Sequence, residues 1–440
     1  MCLSPSLGRV LDKLENSPEN SKPPTNCKRP IRRIRAYPKR SAGLRTSGTM
    51  PACPASRRDY ACRMDRKLLI VGACARGAAF SAVRAGYEPQ AYDLFADADL
   101  RRCCPVRRID DFPHGVLPAI PSAPLAPWMY TGGLENHPIL VDRLAASRTL
   151  YGNRGKVLRQ VRDVWLVAEA LAREGIDVPR VAFPGETVSR GSWLCKPIQS
   201  VGGRSTEPAW PPFRAAGQGH YFQQYVEGTP ASAVFVAAGG RAELLGATRQ
   251  YIGADWCGAR GHWYCGSIGP LALSDAALGA CRRIGDCLAA RFALVGLFGV
   301  DLVLDAAERV WPIEVNPRYT ASIEVLERAL GMQAIAMHVA ACRDGRLPDP
   351  AAIPSARDCL CGKAILYAQQ EFVVSRAFTE SALAIAARDP WPRLADIPAA
   401  GTTIRSGEPI LTVLTDGENV SAVERALRRR VAAARTLLRR

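Results

Sequence analysis

The stretch that most constrains this chain runs from Phe298 to Arg318. Phe298–Asp305 and Val310–Arg318 read as two short strands joined by a four-residue turn, 306–309. Pairing Asp305 with Val310 across that turn sets Asp301 opposite Glu314. Side chains alternate along a strand, so Asp301, Val303, Asp305, Glu314 and Asn316 share one face. Leu302, Leu304, Trp311, Ile313 and Val315 share the other. One face can pack on a core while the other gathers hard oxygen ligands for a divalent cation bound to phosphate. A solvated hairpin face is the plainer alternative. Carboxylates facing each other across a ladder repel unless a cation offsets them, which favours the metal reading.

Two further segments point to a nucleotide. Trp193–Pro197 is a short strand carrying Lys196, a point charge suited to phosphate. It runs into the small-residue loop Gln199–Ser205, where Ser200, Gly202 and Gly203 bring donors and backbone amides close to an anion. An ordinary hairpin loop beside a surface lysine fits the same residues. Downstream, Gln224, Tyr225, Val226 and Glu227 follow a strand whose extended edge suits an adenine ring, with Glu227 the ribose candidate. The aromatic, glycine-rich segment 256–266 reads as an acceptor-pocket wall or as a long packed loop.

The rest of the chain supplies the frame. Leu68–Val71, a turn over Gly72–Gly77, a helix to Ala85 and a strand from Gln90 form a β-α-β unit, the opening of a doubly wound domain. The Gly72–Gly77 turn could cradle phosphate but lacks G-x-G-x-x-G spacing. Asp93, Asp97 and Asp99 make the next loop acidic. Residues 155–173 read as one amphipathic helix, and 275–291 as another. Residues 355–440 form a smaller α+β piece ending in a helix with a basic face.

With 440 residues, 48% of them hydrophobic, the chain can hold two or three cores. We divide it into 1–63, a basic arm; 64–150, an α/β domain; 151–350, the nucleotide-binding domain; and 351–440, the C-terminal piece. Residues 1–63 carry fourteen Lys/Arg against four Asp/Glu, more than half of the net charge of +17. Such a segment buries too little apolar surface to order itself. It reads as an unfolded tail, or as sequence ahead of a start at Met64, in preference to a nucleic-acid-binding arm. The fifteen cysteines are scattered, without zinc or redox spacing. No apolar run is long enough to span a membrane, and the start lacks a signal-peptide core. A cytoplasmic protein is expected.

The ordered set of Lys196, the glycine loop, Gln224–Glu227, Asp301 and Glu314-x-Asn316-Pro317-Arg318 resembles the ATP-grasp superfamily over roughly residues 67–430. The closest likeness is to the carbamoyl-phosphate-synthase-like and carboxylate–amine ligase branches. The specific element is E-x-N-P-R with its partner aspartate thirteen residues earlier. The resemblance implies an ATP-grasp fold of mixed α/β and α+β class, with an N-terminal doubly wound domain and a small C-terminal α+β piece. It implies that Asp301, Glu314 and Asn316 hold Mg²⁺ (or Mn²⁺) against ATP. Arg318 would then steady the transferred phosphoryl group. Lys196 would contact phosphate, Ser200, Gly202 and Gly203 would form a lid, and Gln224–Glu227 would hold adenosine. Arg162 stands where the family usually has a second phosphate-binding lysine.

The implied activity is ATP-dependent joining of a small-molecule carboxylate to an amine through an acyl phosphate. No membrane or nucleic-acid partner is implied, and a homodimer is allowed. The segment Tyr130–Asn136 and the C-terminal piece resemble ATP-grasp proteins of one-carbon carrier biosynthesis. The alternative is a relative that binds ATP without catalysis and serves in regulation or assembly.

Overall fold

The computed structural model describes residues 66–439, except 200–201, 216–218, 354–358 and 388–390. The basic arm 1–63, Met64 and Ser200 therefore lie outside the described residues.

The first element pair follows from alternation of apolar runs with a small-residue helix. Strand β1 (Lys67–Gly72), helix α1 (Arg76–Arg84) and strand β2 (Glu88–Asp93) make the expected β-α-β unit. With β3 (Val106–Arg108) and β4 (Trp128–Tyr130) they form a parallel sheet in the order β3-β2-β1-β4. Leu68–Val71 are buried, as continuous apolar strands in a parallel sheet must be. The turn after β1 is tied to acidic side chains. The amide of Ala75 donates to Asp93 Oδ2 at 2.6 Å, and the Arg76 side chain makes ion pairs to Glu324 and Asp396. Gly72 is needed for close packing, since a Cβ there would lie 2.0 Å from Thr131 Oγ1.

Helix α2 (Pro138–Ser147) follows a short 3₁₀ turn at Leu134–Asn136. The single helix expected over 155–173 is two, α3 (Gly155–Val161) and α4 (Val164–Arg173). Asp163 breaks it. Its carboxylate accepts from the amides of Trp165 and Leu166, satisfying donors at a new helix start. Periodicity survives such a break, so only the cap betrays it.

A small antiparallel sheet then forms from β5 (Val181–Ala182), β6 (Trp193–Pro197), β7 (Glu207–Ala209) and β8 (His220–Gln224), in the order β5-β8-β6-β7. The largest sheet has eight strands. Its members are β9 (Thr229–Ala238), β10 (Arg241–Ile252), β11 (Tyr264–Gly269), β12 (Gly296–Leu304), β13 (Val310–Asn316), β14 (Leu360–Tyr367), β15 (Leu394–Ala395) and β16 (Pro409–Gly417). The order is β13-β12-β9-β10-β11-β14-β16-β15, so the C-terminal strands extend the same sheet. Helix α5 (Asp275–Phe292), capped by Ser274, covers one face, where Phe235 of β9 stacks on Phe298 of β12 with ring centroids 4.9 Å apart. Helices α6 (Ala321–Leu330) and α7 (Ala334–Asp344) cover the other, and α8 (Val420–Leu438) closes the C-terminal strands.

The hairpin register differs from expectation at the turn and agrees at the site. Leu304, not Asp305, pairs with Val310, yet Asp301 does face Glu314. A bulge between the two reconciles them: Leu302 pairs with Pro312, and Ile313 is the unpaired extra residue. The cause is Pro312, which has no N–H to give the ladder and is tolerated at bulges and on edge strands, and β13 is the sheet's edge. One consequence corrects the face assignment. Trp311 joins the Asp305 side, and its indole donates to Asp305 Oδ2 at 3.0 Å. Asp305 also accepts from Ala307 and Arg309 of the turn. The indole bond first, with the turn's donors, holds its carboxyl down to about 2.

Candidate active site

Between the small sheet and the floor formed by β12 and β13 lies a cleft of about 420 Å³. Its walls include Lys196, Gly202, Gly203, Gln224, Tyr225, Val226, Asp301, Glu314, Asn316 and Arg318. The fold thus gathers residues spread over more than 120 positions. Glu227 is exposed at the cleft's edge, between the lining residues Val226 and Gly228. Arg162, at the gap between α3 and α4, does not line this cleft but pairs with Glu314, which does.

The carboxylates are held by a hydrogen-bond net. Asp301 accepts from Gln250 Nε2 at 2.9 Å and from Asn316 Nδ2 at 3.0 Å. Asn316 Oδ1 in turn accepts from Arg318 Nη2 at 2.9 Å. Burial, then the nearby Glu314 charge, pushes the Asp301 carboxyl up. Burial also acts upward on Glu314, but Arg162 and Lys196 beside it win and hold it below the ordinary glutamate range. Among the described residues no three His, Cys, Asp or Glu form a metal group. Two carboxylates and one amide oxygen are nonetheless the donor set Mg²⁺ takes when phosphate oxygens supply the remaining positions. These residues fit the cation.

Lys196 is buried, and burial lowers its pKa against the opposing pull of Glu314 and Asp301. Its ammonium donates to Gln223 Oε1 at 3.0 Å, and Gln223 Nε2 donates to the carbonyl of Ile313 at 3.3 Å. The bulge therefore does two jobs, aligning Glu314 with Asp301 and freeing a carbonyl that ties the small sheet to the floor. Gly202 and Gly203 have φ of +66° and +70°, a region that glycine enters without steric cost. A Cβ on Gly203 would sit 2.1 Å from the His262 carbonyl, and Gly202 O accepts from Tyr264 N at 3.1 Å. The 256–266 segment thus contributes His262 and Tyr264 to the cleft, directly under the glycine loop.

At the inner end stands Arg318, with its guanidinium buried. Its Nε donates to Glu135 Oε1 at 2.6 Å and its Nη1 to Tyr319 O at 3.3 Å. Beside it, Thr320 precedes α6 without capping it by its side chain. Thr320 Oγ1 is buried and has no partner among the described residues, and Thr320, Ala321 and Ser322 line the cleft. An uncapped helix start offers N–H groups and a positive dipole end to an anion.

Sequence reasoning missed Gln223, Gln250, Glu135, Asn136 and Thr320 as parts of this site. Gln223 was within reach, because alternation in β8 points Tyr221 and Gln223 inward together. Gln250, Glu135 and Asn136 join through contacts with residues distant in sequence, which no local pattern carries, and Thr320, two residues after Arg318, lines the cleft with it.

Residues 161–322 match the family model for the ATP-grasp domain. No curated protein matches the chain. Solved structures do. The L-amino acid ligase of Bacillus licheniformis superposes with a TM-score of 0.59 at 14% identity, covering 84% of this chain and 98% of that one. The biotin carboxylase of Campylobacter jejuni gives 0.62 at 12% identity, covering 83% and 90%. A carboxyaminoimidazole ribonucleotide synthase from Aspergillus clavatus, complexed with ATP, gives 0.59 at 14%, covering 85% and 100%. Residues 161–322 thus match the ATP-grasp domain family, and the chain shares the ATP-grasp fold over about four-fifths of its length.

Proposed function

We propose that this protein is an ATP- and Mg²⁺-dependent ligase that activates a carboxylate as an acyl phosphate and joins it to an amine. One observation carries the reading: Arg318 and the uncapped start of α6, with the unpartnered Thr320 hydroxyl, meet at the inner end of a cleft floored by Asp301, Glu314 and Asn316. Cation-holding groups and an anion-holding end thus share one space. A nucleotide with its phosphates on the floor would direct its terminal phosphorus toward a carboxylate held at that end.

A bare carboxylate resists an amine because oxide is a poor leaving group. A carboxylate oxygen attacks the γ-phosphorus, the bond to ADP breaks, and the resulting acyl phosphate has phosphate as its leaving group. The amine then attacks the carbonyl carbon, phosphate departs and the amine loses a proton. Bound Mg²⁺ would supply charge neutralisation at the phosphates. Lys196 supplies a point charge, and Arg318 stabilises charge on the transferring group. Gly202 and Gly203 cover the cleft and limit water's access to the intermediate.

The likeness to an enzyme named as an L-amino acid ligase supports an amino acid as substrate. The narrower assignment, to one-carbon carrier synthesis, rests on the 130–136 segment and the C-terminal resemblance. The test is ADP release over a panel of carboxylates paired with amino acids and simple amines, with Glu314→Ala as control. Turnover that needs both partners and vanishes in the variant is expected. Tight Mg-ATP binding without turnover across the panel would favour a non-catalytic nucleotide binder instead.

A further inference from the structure

The turn Leu134–Asn136 belongs to the N-terminal part of the chain, far in sequence from the nucleotide cleft, yet it holds both arginines of the site. Glu135 Oε1 accepts from Arg318 Nε at 2.6 Å, with both side chains almost fully buried. The next side chain, Asn136, accepts from Arg162 Nη2 at 3.3 Å. Gly133, at φ +100°, makes the bend that delivers them.

The Glu135–Arg318 pair is poorly built for stability. Glu135 Oε2 is buried and has no hydrogen-bond partner among the described residues. Burying two charges costs more than a half-satisfied pair returns, and an apolar pair of the same volume is often the more stable choice. What the pair does provide is direction. A guanidinium has five N–H groups in one plane. Glu135 takes the Nε edge, while Asn316 Oδ1 and Tyr319 O take one N–H from each terminal nitrogen. The plane is then fixed, and two N–H groups without a partner among the described residues are left for an anion in the cleft that Arg318 lines.

We propose that Glu135 is a positioning residue, which aims Arg318 at the carboxylate and phosphoryl oxygens of the reacting pair. The proposal rests on the ligase reading above and names the group that sets its central arginine. It also assigns a task to the Tyr130–Asn136 segment.

The test uses the full chain and inorganic phosphate as the probe, titrated by calorimetry into protein saturated with Mg-ADP. Glu135→Ala is expected to weaken phosphate about tenfold or more, the scale of one charge-assisted hydrogen bond, while Mg-ADP affinity stays within about threefold. Glu135→Gln, whose carbonyl still accepts from Nε, should recover most of the loss. It also keeps the test open if the alanine variant fails to fold. In an Arg318→Ala background, Glu135→Ala should cost nothing further. Unchanged phosphate affinity in Glu135→Ala, additive losses in the double variant, or a glutamine variant as weak as alanine would each overturn the proposal. So would wild-type protein that binds Mg-ADP and no phosphate. Failure of the wild type to bind Mg-ADP would instead overturn the ligase reading itself.

Discussion

Asp301 faces Glu314 across β12 and β13 because Ile313 bulges out of the ladder between them. The two carboxylates are brought together on the cleft side, and the displaced Ile313 carbonyl receives Gln223. An edge strand with a proline at the bulge tolerates this irregularity, and the floor of the cleft is built on it.

Replacing Glu314 by Gln keeps its shape and removes one of the two charges on the floor. We expect Mg²⁺ to lose most of its effect on ATP affinity, about 100-fold if the cation supplies a few kcal/mol there. Calorimetric titration of ATP with Mg²⁺ and with EDTA measures it. A variant whose ATP affinity still rises with Mg²⁺ as in the wild type would remove Glu314 from the metal set.

Asp163 separates α3 from α4 and so sets where Arg162 meets Glu314. Asp163→Ala should lower stability by about 1 kcal/mol, the ordinary cost of a lost N-cap. It should also weaken ATP binding, because the Arg162 guanidinium moves with the helix ends. Urea unfolding and nucleotide titration check the two parts. Loss of stability with unaltered ATP affinity would show that the cap serves the helix alone.

The glycine loop is fastened to the C-terminal strands through Arg204. Its guanidinium lies 4.6 Å from the Trp263 ring centroid and 5.4 Å from that of Tyr367, and it donates to Gly407 O at 2.7 Å. Cation–π contacts of this kind contribute about 0.5–2 kcal/mol. Arg204→Ala should therefore speed dissociation of a fluorescent ATP analogue roughly three- to thirtyfold. It should also alter Trp263 emission. Stopped-flow chase experiments give the rate, and an unaltered rate would rule out the fastening role.

A buried charge cluster joins α1, the loop after β2, α6 and the C-terminal part, through Arg76, Asp93, Asp97, Asp99, Glu324, Lys363 and Asp396. Burial pushes Asp93 up to about 7, against three backbone donors, and Asp99 up to about 6, against Arg76. A carboxyl with a raised folded pKa stabilises fully below its unfolded value near 4, and that contribution is lost as pH rises through 6 to 7. Glu324 and Asp396 run the opposite way. Burial acts upward on both, but Arg76 and Lys363 hold them low, so their contribution is present above about pH 4 and fades below it. The melting temperature should thus peak near pH 5 and fall toward pH 8, and Asp93→Asn should flatten that fall. A melting temperature that rises from pH 5 to 8 in the wild type would contradict the assignment.

The alternation pattern pairs Asp305 with Val310, one residue off the observed register at the turn. Asp301 and Glu314 still came out opposite, because the bulge at Ile313 restored what the wrong pairing had assumed. Pro312 was the visible sign of that bulge. The placement of Lys196, Gly202 and Gly203 beside one cleft was legible from residue type, since few other residues suit a lone charge before a left-handed turn. Glu227 suits a ribose by its chemistry, and the chain leaves it exposed between Val226 and Gly228, which line the cleft. The break at Asp163 was hidden because the apolar periodicity of 155–173 continues across it.

By itself, the sequence determined the elements and their chemistry: alternating strands, amphipathic helices, and an ordered set of residue types suited to phosphate and a cation. These are local properties, set by side-chain spacing and backbone preference. Only the tertiary structure decided which of these residues share a space and which groups orient them. Glu135 reaches Arg318 across 183 positions, Asn136 reaches Arg162, and Gln250 reaches Asp301. Such contacts arise when separately formed sheets and helices pack, and the burial that drives packing leaves no periodic trace of the polar pairs it encloses.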